Sequence, residues 1–186
     1  MRARDIPNII SFLRVLLTIP VVDLLLDRQF GYALIVFAIA GFSDGLDGFL
    51  AKRFNWQSRL GGLLDPLADK ALLMASFLVL GSMGLIPMWL VSLVILRDLV
   101  IMGGALYYHF EVEDLEARPS LISKANTLFQ IVTVLVVVTD AGPYQMPGGV
   151  ISALVAITAF TTVASGINYV WVWWRRAKER GWRSRD

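Results

Sequence analysis

The 186-residue sequence contains no cysteine and a single histidine, His109, and only 17% of its residues are charged. Without cysteine there is no disulfide scaffold, no thiolate metal site and no thiol nucleophile. Soluble domains are about 25% charged and about 45–50% apolar. This chain is 56% hydrophobic, which excludes a water-soluble domain. A formal net charge of +2 is too small to argue for a nucleic-acid partner. The length suggests one domain over residues 1–186.

What is present is a series of six apolar segments, near Asn8–Leu26, Tyr32–Ala51, Pro66–Leu85, Met88–Tyr108, Leu121–Asp140 and Val150–Trp174. Each is near the roughly 20 residues that cross a hydrocarbon core. The pattern predicts an all-α integral membrane protein with six transmembrane helices. Lys and Arg gather on one side of it: Arg2 and Arg4, then Lys52, Arg53 and Arg59, then Arg118 and Lys124, then a tail from Arg175 to Arg185. The opposite loops hold one cation, Arg28. By the positive-inside rule both termini are expected in the cytoplasm. Trp171, Trp173 and Trp174 stand beside the tail cations, as an interfacial anchor would. The first segment is read as retained rather than as a signal peptide, because Arg14 interrupts it and no small-residue cleavage site follows.

Charges inside these segments carry the functional information. An aspartate at the bilayer centre costs roughly 2.5–3.5 kcal/mol. The second segment nevertheless holds Asp44 and Asp47, and the third begins Leu64-Asp65-Pro66-Leu67-Ala68-Asp69-Lys70. Spacings of three and four put each pair on one helix face. Gly48 and Ala51 continue the first face and leave room for a ligand. Asp65 is expected as an N-cap, with Pro66 in the first turn. Two carboxylate pairs without thiol or imidazole partners make an all-oxygen site suited to Mg²⁺ or Mn²⁺ and completed by phosphate oxygens. Arg14 and Arg97 lie roughly 9 and 18 Å from the cytoplasmic ends of their segments at about 1.5 Å per residue. Arg97 is a candidate for an ion pair with the aspartate cluster. Asp98, about 100° further round the helix, is expected to find a different partner. Lys70 and Lys124 either serve the site or snorkel to the interface. His109 reads as an interfacial residue.

These residues resemble the CDP-alcohol phosphatidyltransferases, whose signature is D-x2-D-G-x2-A-R-x8-G-x3-D-x3-D. It is matched here by Asp44, Asp47, Gly48, Ala51, Lys52, Gly61, Asp65 and Asp69, with Lys52 in place of the usual arginine. The family's first-segment pattern P-N-x-[IL]-[ST]-x2-R is matched by Pro7, Asn8, Ile10, Ser11 and Arg14. The resemblance implies six helices around a polar cavity that faces the cytoplasm, and a homodimer. It also implies two divalent metal ions on Asp44, Asp47, Asp65 and Asp69, with Asp69 as general base. Asn8, Arg14, Gly48, Ala51, Lys52 and Gly61 would then receive a CDP-linked lipid, with CMP as the leaving group.

The run Ser123-Lys124-Ala125-Asn126-Thr127 and Gln130 is similar to the cardiolipin-forming branch of that family, which joins CDP-diacylglycerol to phosphatidylglycerol. The phosphatidylglycerophosphate synthases carry a related K-x-K-T-x2-Q, so the alternative acceptor is glycerol 3-phosphate. Both acceptors bear a phosphate, for which Arg97, Lys124 and Arg59 are the candidates. The expected location is an inner (cytoplasmic) membrane, with the active site on the cytoplasmic side. A small cation transporter is the reading from another class. It would need acidic residues along both membrane halves, and the outer half offers only Asp23 and Asp140.

Overall fold

The computed structural model describes the backbone over residues 6–54, 59–111 and 120–183, and side chains at residues 10, 12–43, 70–104, 120–172 and 175. Among the described residues the fold is entirely helical: α1 (Ile6–Leu26), α2 (Phe30–Phe54), α3 (Arg59–Ser82), α4 (Met88–Glu111), α5 (Leu121–Ala141) and α6 (Val150–Arg183). Two of these, at Leu121–Ala141 and Val150–Val172, are long and apolar enough to cross a membrane by length and composition.

The helices form two groups. α1 packs against α2 and α3, while α6 packs against α4 and α5. Contacts of α5 with α2 and α3, and of α3 with α4, join the groups. The core between them is apolar, with Phe77, Leu80, Leu90 and Val94 on α3 and α4, and Val21, Leu25, Ala33 and Val138 completing it on α1, α2 and α5. Large apolar side chains such as Phe42, Phe160 and Ile167 point outward. That is the arrangement expected where the surrounding solvent is hydrocarbon rather than water.

Tight turns set the helix order. Arg28 takes a left-handed conformation (φ 58°) between α1 and α2, and Gly84 does so (φ 75°) between α3 and α4. Just before that second turn α3 and α4 approach closely at Gly81, where an added Cβ would meet Val91 Cγ2 at 2.6 Å. Ser120 caps α5, its hydroxyl accepting from the Ser123 N–H at 3.2 Å. One expectation is corrected. α3 begins at Arg59, so Asp65 lies inside the helix rather than at its N-cap. A proline removes one N–H from the ladder, but the apolar residues before Pro66 extend the helix through it. α6 also runs past its apolar stretch, to Arg183.

Candidate active site

The helical backbone of α2 carries Asp44 and Asp47, and that of α3 carries Asp65 and Asp69. Spacings of three and four keep each pair on a common face. The side chains of these four residues and of Asn8, Ala51, Lys52 and Arg59, and the surroundings of Gly48 and Gly61, lie outside the described residues. Among the described residues no group of three or more His, Cys, Asp or Glu gathers as a metal site. The donor set of the four aspartates is wholly oxygen, which fits a hard divalent cation.

One residue beyond Asp69 the side chains are described, and a charged network begins. Lys70 Nζ donates to Asp98 Oδ1 at 2.7 Å, and Arg97 Nη1 donates to the same oxygen at 2.6 Å. Asp98 is 1% exposed and Arg97 5%. Arg97 continues into α5 and α6: Nη2 donates to Ser123 Oγ at 2.7 Å, and Nε to Ser165 Oγ at 3.2 Å. Nη2 also reaches Ser165 Oγ. The guanidinium carbon stands 5.9 Å from the Tyr169 ring centroid. A cation in the middle of an apolar helix is thereby matched by a carboxylate, two hydroxyls and a ring face.

The network overturns the expectation that Asp98 and Arg97 find different partners. Their Cα–Cβ bonds do diverge by about 100°, but arginine is long enough to fold back onto its neighbour. Lys70 does not simply snorkel; its side chain is 21% exposed and is tied to α4. Asp98 Oδ2 is buried with no hydrogen-bond partner among the described residues.

A second polar seam runs between α5 and α6. Asn126, fully buried, accepts at Oδ1 from the hydroxyls of Thr161 and Thr162 at 3.0 and 2.8 Å. The Thr133 and Thr158 hydroxyls are 2.8 Å apart. Gln130 is fully buried, and neither amide atom has a partner among the described residues; Asn126 Nδ2 also lacks one. Lys124 is exposed in the first turn of α5, and Arg14 is buried in α1. The structure thus brings Arg97, Ser123 and Asn126 onto the α4–α6 side. Thr158, Thr162 and Ser165 were not singled out in the sequence. Their spacing of four and three marks one polar stripe on an apolar helix, a signal of interhelical hydrogen bonding. Asp140, far from this network in sequence, accepts from the Met146 N–H at 2.7 Å and so closes its own loop.

Comparison with known proteins identifies the family. The family model for CDP-alcohol phosphatidyltransferase matches residues 4–174. A cardiolipin synthase (CMP-forming) of Rattus norvegicus is 35% identical over 182 residues, covering 88% of this chain and 60% of that protein. Its Homo sapiens counterpart is 34% identical with the same coverage. The chain spans about 60% of the length of these two relatives. A CDP-diacylglycerol–glycerol-3-phosphate 3-phosphatidyltransferase of Bacillus subtilis is 31% identical over 145 residues, covering 77% of this chain and 74% of that protein. With a match running nearly end to end and the eight-position aspartate motif inside it, the chain belongs to the CDP-alcohol phosphatidyltransferase family.

Proposed function

We propose that this chain is a membrane-embedded synthase that transfers the phosphatidyl group of CDP-diacylglycerol to a hydroxyl of phosphatidylglycerol, giving cardiolipin and CMP. The observation that carries this reading is the aspartate motif on α2 and α3 in a chain 35% identical to a cardiolipin synthase. All six helices cross the membrane in this reading, as one domain with both termini and the polar cavity on the cytoplasmic side of an inner membrane. The working unit is a homodimer.

Asp44, Asp47, Asp65 and Asp69 would hold two divalent ions, Mg²⁺ or Mn²⁺. Bound there, such ions neutralise the diphosphate and stabilise the attacking and leaving oxygens together. Asp69 accepts the proton of the acceptor hydroxyl. That oxygen forms a bond to the phosphatidyl phosphorus as the bond to the CMP oxygen breaks. Asn8, Arg14, Gly48, Ala51, Lys52 and Gly61 receive the nucleotide-linked lipid. No enzyme nucleophile is needed, since phosphoryl transfer depends on positioning and charge stabilisation.

For the acceptor phosphate, Lys124 and Arg59 offer direct cationic contacts. Arg97 has five N–H groups, and its contacts with Asp98, Ser123 and Ser165 occupy four of them. It therefore has at most one donor left for a ligand, and its main part is to fix the wall of the site. The second reading, phosphatidylglycerophosphate synthesis, is favoured by the Bacillus subtilis relative. The transporter reading is weakened by Asp140, which is committed to its own loop.

The test is a product assay on purified protein with labelled CDP-diacylglycerol and Mg²⁺. Phosphatidylglycerol and glycerol 3-phosphate are offered in separate reactions, with EDTA as control. Cardiolipin from the first alone is expected. Phosphatidylglycerophosphate from the second alone would replace the acceptor assignment and keep the chemistry.

A further inference from the structure

A groove of about 560 Å³ lies between α4 and α6, on the outer side of the polar network. Its walls are apolar, with Leu93, Leu96 and Val100 facing Val163, Ile167 and Val170. The floor is set by Gly166, where an added Cβ would stand 3.8 Å from Arg97 Cγ. The aliphatic stem of Arg97 therefore lines the groove, while its guanidinium turns inward to Asp98, Ser123 and Ser165. One side chain separates the apolar groove from the charged network.

The groove has an orientation. It follows α6 within Val150–Val172, the stretch apolar enough to cross a membrane, and ends at Trp171, which is 60% exposed. One helical turn further on the same face is Arg175, also exposed. An apolar trough closed by an amphipathic ring at the cationic end of α6 matches a phospholipid lying alongside, with its chain in the trough and its headgroup at the level of that end.

We infer that this groove seats an acyl chain of the acceptor phospholipid, an anionic diacyl lipid. The inference rests on the reading that the acceptor is itself a lipid. A reaction joining two diacyl lipids needs two lateral berths. The donor's diphosphate belongs with the aspartates of α2 and α3, which pack with α1, whereas the groove is built by the other group of helices. It also borders Arg97, whose network begins one residue from Asp69. An acceptor held here brings its headgroup toward the site from the side opposite the donor.

The experiment uses the full chain in nanodiscs, with phosphatidylglycerol or phosphatidylcholine carrying brominated acyl chains. Trp171 fluorescence is isolated by difference against Trp171→Phe. The expected result is stronger quenching by brominated phosphatidylglycerol than by brominated phosphatidylcholine, by at least twofold. Gly166→Leu and Val163→Phe, which fill the trough from two positions, should abolish the difference. In turnover, both variants should raise KM for long-chain phosphatidylglycerol about tenfold. A dihexanoyl acceptor should be little affected, as should KM for CDP-diacylglycerol. Equal quenching by the two lipids would mean an ordinary lipid-facing surface and overturn the proposal. So would a rise in the donor's KM, or conversion of the dimer to monomer by either variant, which would make the groove a seat for a second copy. Because quenching needs no turnover, it reports on the groove even if the wild-type protein proves to use glycerol 3-phosphate.

Discussion

Asp98→Asn removes a buried carboxylate that two cations share, the buried Arg97 and the half-buried Lys70. Lys70 Nζ and Arg97 Nη1 both donate to its Oδ1, at 2.7 and 2.6 Å. Taking away one partner of a buried pair typically costs about 3–5 kcal/mol, because the remaining charge is left uncompensated. Two features reduce that figure here. Lys70 is 21% exposed at its side chain and can withdraw toward water, and Arg97 keeps Ser123 and Ser165. A loss of about 2–4 kcal/mol is expected on these grounds. For a chain of this size each kcal/mol shifts the midpoint by about 2–4 °C, so Asp98→Asn should melt roughly 5–15 °C lower. Intrinsic tryptophan fluorescence in detergent can follow the transition, since a chain without cysteine cannot report through a thiol dye. Lys70→Met alone should also destabilise, and the double variant should lose less than the two single losses added together. An Asp98→Asn midpoint within about 1 °C of wild type, or strictly additive losses, would refute the idea that this pair ties α3 to α4.

Asp69→Asn should abolish turnover while CDP-diacylglycerol binding stays measurable; retained activity in a product assay would remove the general-base assignment. EDTA should stop the reaction, and added Mg²⁺ or Mn²⁺ should restore it. Gly142→Ala places a methyl group 2.5 Å from Phe30 Cβ. Overpacking of that kind costs about 1–3 kcal/mol, visible as a lowered melting midpoint. Gln130→Met replaces a buried amide that has no partner among the described residues. Losing an unsatisfied polar group is neutral or stabilising, so the midpoint should hold or rise; a fall would mean that the amide is satisfied in the working protein.

Most helix positions were legible because the apolar runs have membrane length and are separated by short Gly- and Pro-rich breaks. The start of α3 was not. Pro66 after Asp65 is a strong local start signal, yet helical residues before it override that signal, and periodicity alone does not weigh the two. Within the candidate site, the aspartate spacings were readable because they are contained within single helices. The Lys70–Asp98 tie was not, since it depends on how α3 packs against α4. Nor was the fold of Arg97 onto its sequence neighbour, which the 100° rule discourages and a long flexible side chain permits. Asn126 was singled out for its place in a run of residues. Its role as acceptor for Thr161 and Thr162 required the register of α5 against α6.

The short connection between Ser82 and Met88, with Gly84 in its left-handed conformation, bears on how the chain reaches the bilayer. Lys70 lies twelve residues before the end of α3, and Asp98 ten residues after the start of α4. At about 1.5 Å per residue both stand roughly 15–18 Å from the turn, so the charges fall at matching depth when the hairpin closes. Asp98 already has Arg97 beside it on α4, whereas Lys70 on α3 alone would cost about 2.5–3.5 kcal/mol at the centre of a lone helix. In the proposed six-span reading, α3 and α4 closed as a pair carry Lys70 into the membrane already matched to the carboxylate that also holds Arg97, in place of a lone cation on α3. In a cell-free translocation assay, the α3–α4 hairpin should therefore insert more completely than either helix alone, and Lys70→Asp should reduce its insertion. α5 and α6, by contrast, should insert singly.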